Sequence, residues 1–586
     1  MNFRTLRFPV LCSVFTLASG LALPASVFAA TVANPLCPNN TALFNPGTGQ
    51  DIVVPPGFKV SVFASGLNMP TGIAFLGNAH GFQVYVLESG HGLPSACNEQ
   101  GSFGTGDFDP KNPFTPDIKV FDQNGNLIRG PLGKPNAAGT GFQAAGPAVD
   151  IAFEGGFQGG RLFATDSNQA THAAGQNNSS RIVIVDPQTG KVTPFITGLP
   201  TGDHPTEQLA FDEKWIYWSQ GSTTNSGVVG RDNGGGANQQ DIPCQDIVLS
   251  QNVFDSGGGV RTSGYSPFGM TRPGATVKAF DSATHKGVCD GAILRARLKA
   301  ANPADTIEPF SWGYRNGYAI RFAPEDHPLQ GGLIVGEDGP DERGARPSNG
   351  APDALHLARQ NADGSPDYHG WPDRFGFLPS SQAVFNPVGG PSDDLCVFDA
   401  ANPPSKCTPA SLALIRTEDV PIRDVLAFPP QSITSPLAIE AADSSFTGID
   451  FAPRSFVGGP VKVGAALYVL EGDFGFSPPN ATDPAPEVGH EVKLINFASK
   501  DDQPLALKVQ GFARNNSGDQ AFINPDHTAG FNRPTNIRFG PDGCAYVVDY
   551  GAVRDNGSDT HFVGPPQNGP LLQIPGTGVI WKICKQ

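Results

Sequence analysis

The chain has 586 residues, with 39 Lys and Arg against 55 Asp and Glu and a formal charge of -16. That balance argues against nucleic acid as a partner, since a polyanion needs a basic face and none is visible. With 72 Gly, 55 Pro and only 16% charged residues, the chain is rich in turns yet keeps enough Val, Ile, Leu and Phe for cores, so it reads as all-β rather than disordered.

Residues 1–30 carry Arg4 and Arg7, then the apolar run PVLCSVFTLASGLAL, then small residues around VFAA. This is the order of a secretory signal peptide, with the mature chain beginning near Ala30 or Thr31. No later segment offers the ~18 uninterrupted apolar residues of a membrane span, so a soluble protein, secreted or periplasmic, is expected. Removing the signal removes Cys12 and leaves cysteines at 37, 97, 244, 289, 396, 407, 544 and 584. An even number in an exported chain predicts disulfides. Cys544 with Cys584, and Cys396 with Cys407, are the pairs expected from proximity. No CxxCH, CxxC or HExxH motif occurs, which leaves out a covalently attached haem and a zinc protease site.

Further along, one strand pair recurs six times. TGIAF (71–75), VDIAF (149–153), EQLAF (207–211), YAIRF (318–322), TGIDF (447–451) and TNIRF (535–539) share an aliphatic residue two places before a Phe. Each is followed by a second apolar run: VYVLES from 84, RLFATDS from 161, WIYWSQG from 215, GLIVGEDG from 332, ALYVLEGD from 466 and CAYVVDYG from 544. Short apolar runs joined by Gly- or Asp-containing turns describe a β-hairpin. A third amphipathic run follows most pairs, as in DIKVFDQNG at 117 or GVIWKICKQ at 578. Six such units predict a six-bladed β-propeller, because a lone small sheet cannot bury both faces and sheets stacked in a ring can. One domain over 31–586 is expected. The segment PPGFKVSVFASGL (55–67) should supply the outer strand of the last blade, and insertions should fall around 222–290 and 340–440, on one face.

The first strand of each blade lines the central channel, so the residues just before it gather at one rim. Counting back from each repeat Phe gives Met69, Gly146, His204, Arg315, Ser444 and Arg533. In a chain with 11 His, the pair Asp203–His204 then stands at the channel mouth. An adjacent carboxylate can fix an imidazole tautomer and stabilise the imidazolium formed on proton abstraction, which is general-base chemistry. Arg315 and Arg533 at the same mouth suit a ligand with several carboxylates.

The stretches GYRNGYAIRFAPEDHPLQGGLIVGEDGP (313–340), PDALHLARQNADGSPDYHGWP (352–372), DHPTEQLAFDEKWIYWSQG and NRPTNIRFGPDGCAYVVDYG resemble the soluble quinoprotein glucose/sorbosone dehydrogenase family over most of residues 50 to 585. The resemblance implies an oxidoreductase that oxidises an aldose or a related sugar alcohol or aldehyde by hydride transfer to pyrroloquinoline quinone (PQQ), with calcium, and that passes electrons to a separate acceptor. His204 would be the base and Asp203 its orienting partner. Arg315, Asn316 and Arg533 would hold the quinone. The carbonyls of Gly339 and Pro340, the carboxylate of Asp353 and the carbonyl of Tyr368 or His369 would resemble calcium ligands, a mixed hard-oxygen set. Three positions depart from the family pattern: its Gln before blade 2 aligns with Ala145, with Gln143 nearby; the second Arg of its last blade is Thr535; and a Lys of its fifth blade falls near Asp473. Two alternatives stay open, a propeller without cofactor that binds a carbohydrate or protein, and a calcium-dependent lactonase or esterase.

Overall fold

The computed structural model describes residues 30–35, 38, 41–90, 114–168, 179–230, 240–256, 260–280, 287–341, 345–346, 348–349, 351–375, 383–384, 423–472, 488–498, 506–523, 526–555 and 571–586. Among them there is no α-helix, only short 3-10 turns between strands.

Six sheets of four or five strands carry the architecture. Blade 1 is Pro70–Asn78, Gly81–Glu88, Asp117–Asp122 and Leu127–Leu132. Blade 2 is Ile151–Phe153, Leu162–Asp166, Ser180–Val185 and Val192–Leu199. Blade 3 is Thr206–Phe211, Trp215–Gln220, Ala292–Arg297 and Glu308–Trp312, with Asp367–Tyr368 parallel on its outer edge. Blade 4 is Asn316–Phe322, Leu333–Asp338, Ala354–Ala358 and Ala438–Ile439. Blade 5 is Phe446–Phe451, Ala466–Leu470, Glu491–Ala498 and Ala506–Asn515, edged by Ile52–Val53. Blade 6 is Pro534–Phe539, Ala545–Asp549, Gly578–Lys585 and, from the other end of the chain, Phe58–Leu67. That last pairing closes the ring as the sequence predicts. The inner strands of successive blades touch one another all the way round.

The apolar runs pack between blades. Phe63, Tyr546 and Ile580 of blade 6 meet Ile73, Phe75 and Val84 of blade 1, and Tyr217, Ile293 and Phe310 of blade 3 meet Ile320, Leu333 and Val335 of blade 4. A middle strand is covered on both faces, which is why Ala466–Leu470 and Ala545–Asp549 are buried throughout and read as continuous runs. Inside the ring the strands are polar and tied to each other. Gln208 donates to the Thr447 carbonyl at 2.8 Å and accepts from Arg538 at 2.9 Å, and Asp150 accepts the Leu209 amide at 3.0 Å.

Two features were not visible in the sequence. The segment around 340–440, read as one insertion, contains the third strand of blade 4, Ala354–Ala358. In blades 1, 3, 4, 5 and 6 the inner strand also carries a bulge at its start, between Pro70 and Gly72, Thr206 and Leu209, Asn316 and Ala319, Phe446 and Gly448, and Pro534 and Asn536. A bulge takes its residue out of the ladder and re-aims the side chain. The disulfide Cys544–Cys584 forms in blade 6 as expected, and Cys244–Cys289 joins two points of the 222–290 insertion. Residues 1–29, Cys396, Cys407 and Asp473 lie outside the described residues.

Candidate active site

Between the outer strand of blade 2 and the inner strand of blade 3 the chain turns at the rim, and the turn is pinned by backbone bonds. The Asp203 amide donates to Thr223 O at 3.0 Å and the His204 amide to Ser222 O at 3.1 Å. The two segments lie so close that a Cβ on Gly202 would come within 2.2 Å of Thr223 Cα, and one on Gly221 within 2.2 Å of His204 Cβ, so only glycine fits at either place. The insertion supports this turn from behind. Thr223 donates through its hydroxyl to Asp290 Oδ2 at 2.5 Å, and Thr224 to Asp241 Oδ2 at 2.6 Å. Asp290 adjoins Cys289 of the insertion's disulfide.

His204 stands between two carboxylates, with 17% of its side chain exposed: Nδ1 lies 3.4 Å from Asp203 Oδ2, and Nε2 lies 3.9 Å from Asp338 Oδ2. Arg315 is buried beside it and gathers three acids. Its Nη1 donates to Asp338 at 2.9 Å and to the Gly339 carbonyl at 2.8 Å, and its Nη2 lies 3.4 Å from Asp203 and 2.6 Å from Asp341. The Arg315 amide donates to Glu337 Oε1 at 2.7 Å, and Glu337 Oε2 meets His356 Nε2 at 2.7 Å. From there a buried chain continues through His356 Nδ1 to His369 Nδ1 at 3.1 Å and His369 Nε2 to Asp367 at 2.9 Å.

Arg533, on blade 6, donates its amide to Asp549 at 2.8 Å and Nη1 to the Gly472 carbonyl at 2.9 Å. The charge of Asp338 also acts on two further buried acids. Burial, then Asp338 and Glu471, pushes the Glu207 carboxyl well above the usual carboxylate range. Burial pushes Glu471 up to about 8; Arg533 opposes that rise, while Asp338 and Asp549 add to it.

Of the residues singled out from the sequence, Asp203, His204 and Arg315 form one contact cluster. Arg533, on blade 6, and Asp338, of the cluster, act on the same Glu471 carboxyl in opposite senses. Asn316 begins the inner strand of blade 4 and is buried, with Oδ1 lacking a partner. The four residues expected around calcium separate into two groups. The Gly339 carbonyl and Pro340 lie at the turn beside Asp338 and Asp341. Asp353 already accepts the Gly339 amide at 2.7 Å, the Ser444 hydroxyl at 2.9 Å and the Ser445 amide at 2.6 Å. Tyr368 serves blade 3: its carbonyl accepts the Thr434 amide at 2.8 Å and its hydroxyl donates to Gly370 O at 2.9 Å. Gln143 is spent locally on the Ser179 carbonyl at 2.9 Å, and the Thr535 hydroxyl donates to Pro70 O at 3.3 Å. Met69 packs on Tyr550 and Val553 rather than presenting a polar group to the channel.

Sequence reading missed Asp338, Asp341, Glu207, Tyr318 and Glu471. Asp338 and Asp341 flank the Gly-Pro turn within EDGPD, and Glu207 and Tyr318 open their repeats where three others open with Thr.

These residues bear on whether a quinone and calcium could be held. Three carboxylates face one guanidinium at Arg315, so a tricarboxylate fits here only together with a cation. Asp338, Asp341 and the Gly339 carbonyl are all hard oxygen donors, the chemistry calcium takes. Among the described residues no three His, Cys, Asp or Glu side chains already converge at metal-ligating separations, so backbone and ligand oxygens must complete the set. The unpartnered Asn316 amide oxygen on the adjoining strand is a further hard acceptor suited to the cation, so the residues present fit the quinone only together with calcium.

No family model matches the chain, and no curated protein matches it in sequence. Among solved structures, the chain is similar to the PQQ domain of pyranose dehydrogenase from Coprinopsis cinerea, at 13% identity over 91% of this chain and 97% of that one, with a TM-score of 0.45. The soluble aldose sugar dehydrogenase of Escherichia coli is similar at 13% identity over 90% and 100% of the two chains, with a TM-score of 0.43. A Trichoderma reesei member of carbohydrate-active enzyme family AA12, in its calcium structure, is similar at 15% identity over 91% and 97%, with a TM-score of 0.43. The class defined by the closed ring of sheets is the six-bladed β-propeller.

Proposed function

We propose that the protein is a quinone-dependent oxidoreductase that oxidises an aldose, or a related sugar alcohol or aldehyde, at the channel mouth. The observation that carries this reading is the placement of His204 between Asp203 and Asp338, partly open to solvent, on the rim that Arg315 and Arg533 share.

His204 takes the substrate hydroxyl proton at Nε2. Asp203, whose carboxylate lies 3.4 Å from Nδ1, would favour the ring proton on that side and so leave Nε2 to accept. Asp338, 3.9 Å from Nε2, then stabilises the imidazolium. Arg315 bridges Asp203 and Asp338 and keeps the two carboxylates from drifting apart. PQQ, when bound, supplies the two-electron acceptor for the substrate's hydride. Arg315, Asn316 and Arg533 would hold the quinone, and Asp338 and Asp341 with the Gly339 and Pro340 carbonyls would hold calcium. A separate acceptor takes the electrons onward. Export is the setting that disulfides such as Cys244–Cys289 and Cys544–Cys584 favour.

Reconstitution of the purified protein with calcium and PQQ should give dye reduction with aldoses. His204→Ala should lower kcat at least ~10²-fold, the usual scale of a positioned base, with the thermal midpoint unchanged. Unchanged quinone absorbance on titration, together with no dye reduction, rules the reading out. One observation favours the cofactor-free alternative: the Arg315 guanidinium is already engaged by Asp203, Asp338, Asp341 and the Gly339 carbonyl. Under that reading sugar binds and the quinone titration stays flat.

A further inference from the structure

We propose that the buried strap of residues 222–226 is the positioning element of this site: it holds the base turn and the acids around Arg315 at one fixed spacing, with Thr223 and Asn225 as its positioning residues. The inference rests on the reading of Asp203, His204 and the Arg315 cluster as the reacting end of the channel.

The strap follows the second strand of blade 3 and reads STTNS, five polar residues of which none is more than 2% exposed. Buried polar groups persist where they are paired, and here the partners fall on two sides. Toward the site, the Ser222 and Thr223 carbonyls accept the His204 and Asp203 amides, and the Ser222 amide donates to the Arg315 carbonyl at 2.9 Å. Two residues beyond Thr223, the Asn225 side chain grips the Asp341 backbone at both polar groups: Nδ2 donates to the Asp341 carbonyl at 2.9 Å, and Oδ1 accepts the Asp341 amide at 2.9 Å. Toward the insertion, Asp290 Oδ2 accepts the hydroxyl and the amide of Thr223 at 2.5 and 3.1 Å, and Asp241 accepts those of Thr224 at 2.6 and 3.0 Å. The Ser226 hydroxyl donates to the Arg346 carbonyl, and Arg346 Nη1 donates to the Ser226 carbonyl at 2.9 Å.

These bonds close a ring. Arg315 Nη2 lies 3.4 Å from Asp203 Oδ2 and 2.6 Å from Asp341 Oδ2, so one nitrogen spans two acids whose backbones are held by strap residues two places apart. The strap therefore sets the gap that the guanidinium bridges, and a shift at either end of it moves one acid against the other and both against His204. Its stiffness comes from the insertion and not from the blades. The Gly227 amide donates to the Thr224 hydroxyl at 2.8 Å. Asp290 exchanges two bonds with Ile242, its amide to the Ile242 carbonyl at 3.1 Å and its Oδ1 from the Ile242 amide at 2.8 Å, beside the Cys244–Cys289 disulfide. Partners behind the groups that meet a ligand fix the orientation of those groups, and here they are supplied by a segment that the six-fold repeat does not contain.

The test is amide hydrogen exchange, which reports local opening, read by mass spectrometry on the full protein without added ligand, in Thr223→Val and Asn225→Ala. A strap that acts as one unit makes each substitution speed exchange at least tenfold in both 202–206 and 338–341, although Thr223 bonds to the first segment and Asn225 to the second. Exchange in the blade 5 strand Ala466–Leu470 should stay within threefold, and Thr223→Ser, which keeps the hydroxyl, should restore protection in both segments. In the reconstituted enzyme the two variants should lower kcat at least tenfold at saturating PQQ and calcium, with KM for the sugar within threefold, because alignment of the base is lost and sugar contact is not. Faster exchange only beside the substituted residue, no change in either variant, faster exchange that extends to Ala466–Leu470, or a paired response with unchanged kcat in an active enzyme overturns the proposal. The paired response in a protein that reduces no dye would remove the oxidoreductase reading and keep the strap. Dye reduction by the wild type without the paired response would do the reverse.

Discussion

On the proposed reading Asp203 is the residue on which the base depends, because its carboxylate lies 3.4 Å from both His204 Nδ1 and Arg315 Nη2. Asp203→Asn preserves the shape and the approach to Arg315 but offers an amide N–H toward the ring, which drives the imidazole to the tautomer with no acceptor at Nε2. Its kcat should therefore fall about 10²-fold with KM little changed, measured by steady-state dye reduction. A fall in KM affinity with intact kcat would instead assign Asp203 to substrate contact. The dyad and its two arginines could be singled out in the sequence because each stands six to eight places before a repeat Phe, where the chain enters an inner strand. Glu207 and Tyr318 were not, since period-two reading assigns their places to the strand, and only the register shifts at Thr206–Leu209 and Asn316–Ala319 take them out of the ladder. Asp338 and Asp341 were likewise hidden: Asp341 and Asp203 are 138 positions apart along the chain numbering and come to one guanidinium only in the fold.

Among the elements, the closing blade is the one built from both ends of the chain, with Phe58–Leu67 laid along Gly578–Lys585. The disulfide Cys544–Cys584 joins the residue before its second strand to one within its third across 40 residues of sequence. Cross-linking a loop of that length is worth about 2–4 kcal/mol by the chain-entropy argument. The double substitution Cys544→Ser with Cys584→Ser should lower the thermal midpoint by several degrees, and calorimetry with and without reductant should show the wild type approaching the variant when reduced. An unchanged midpoint would mean that strand pairing alone closes the ring. Strand identities were readable wherever an apolar run was long, as in Gly578–Lys585. Ala354–Ala358 was missed because ALHLA is short, is interrupted by His356, and sits between long irregular segments. Its role is set by pairing with Leu333–Asp338 rather than by its own pattern.

Across the whole molecule, the burial of acids sets how stability responds to pH. Glu471 is raised to about 8 and Asp117 to about 7, in both cases first by burial, and Glu207, Asp290 and Asp353 are raised well above the ordinary range, again first by burial. A carboxyl whose pKa is higher in the folded state keeps its proton there after the unfolded chain has lost it, so the folded state binds more protons and stability falls as pH rises toward the folded value. Buried His490 and His369 act in the opposite sense: burial lowers both, so below their ordinary value near 6.5 the unfolded chain takes up protons that the folded state refuses, and stability falls as pH drops. The two effects overlap on the acid side and separate above it. Between about pH 6.5 and 8 the histidines are neutral in both states and the carboxyl slope remains alone. The thermal midpoint should accordingly decline steadily over that interval, and Glu471→Gln, which has no proton to lose, should flatten the decline while leaving the histidine-controlled fall on the acid side in place. A midpoint that rises from pH 6.5 to 8, or a slope untouched in Glu471→Gln, would show that the channel acids hold partners in solution that keep them ionised.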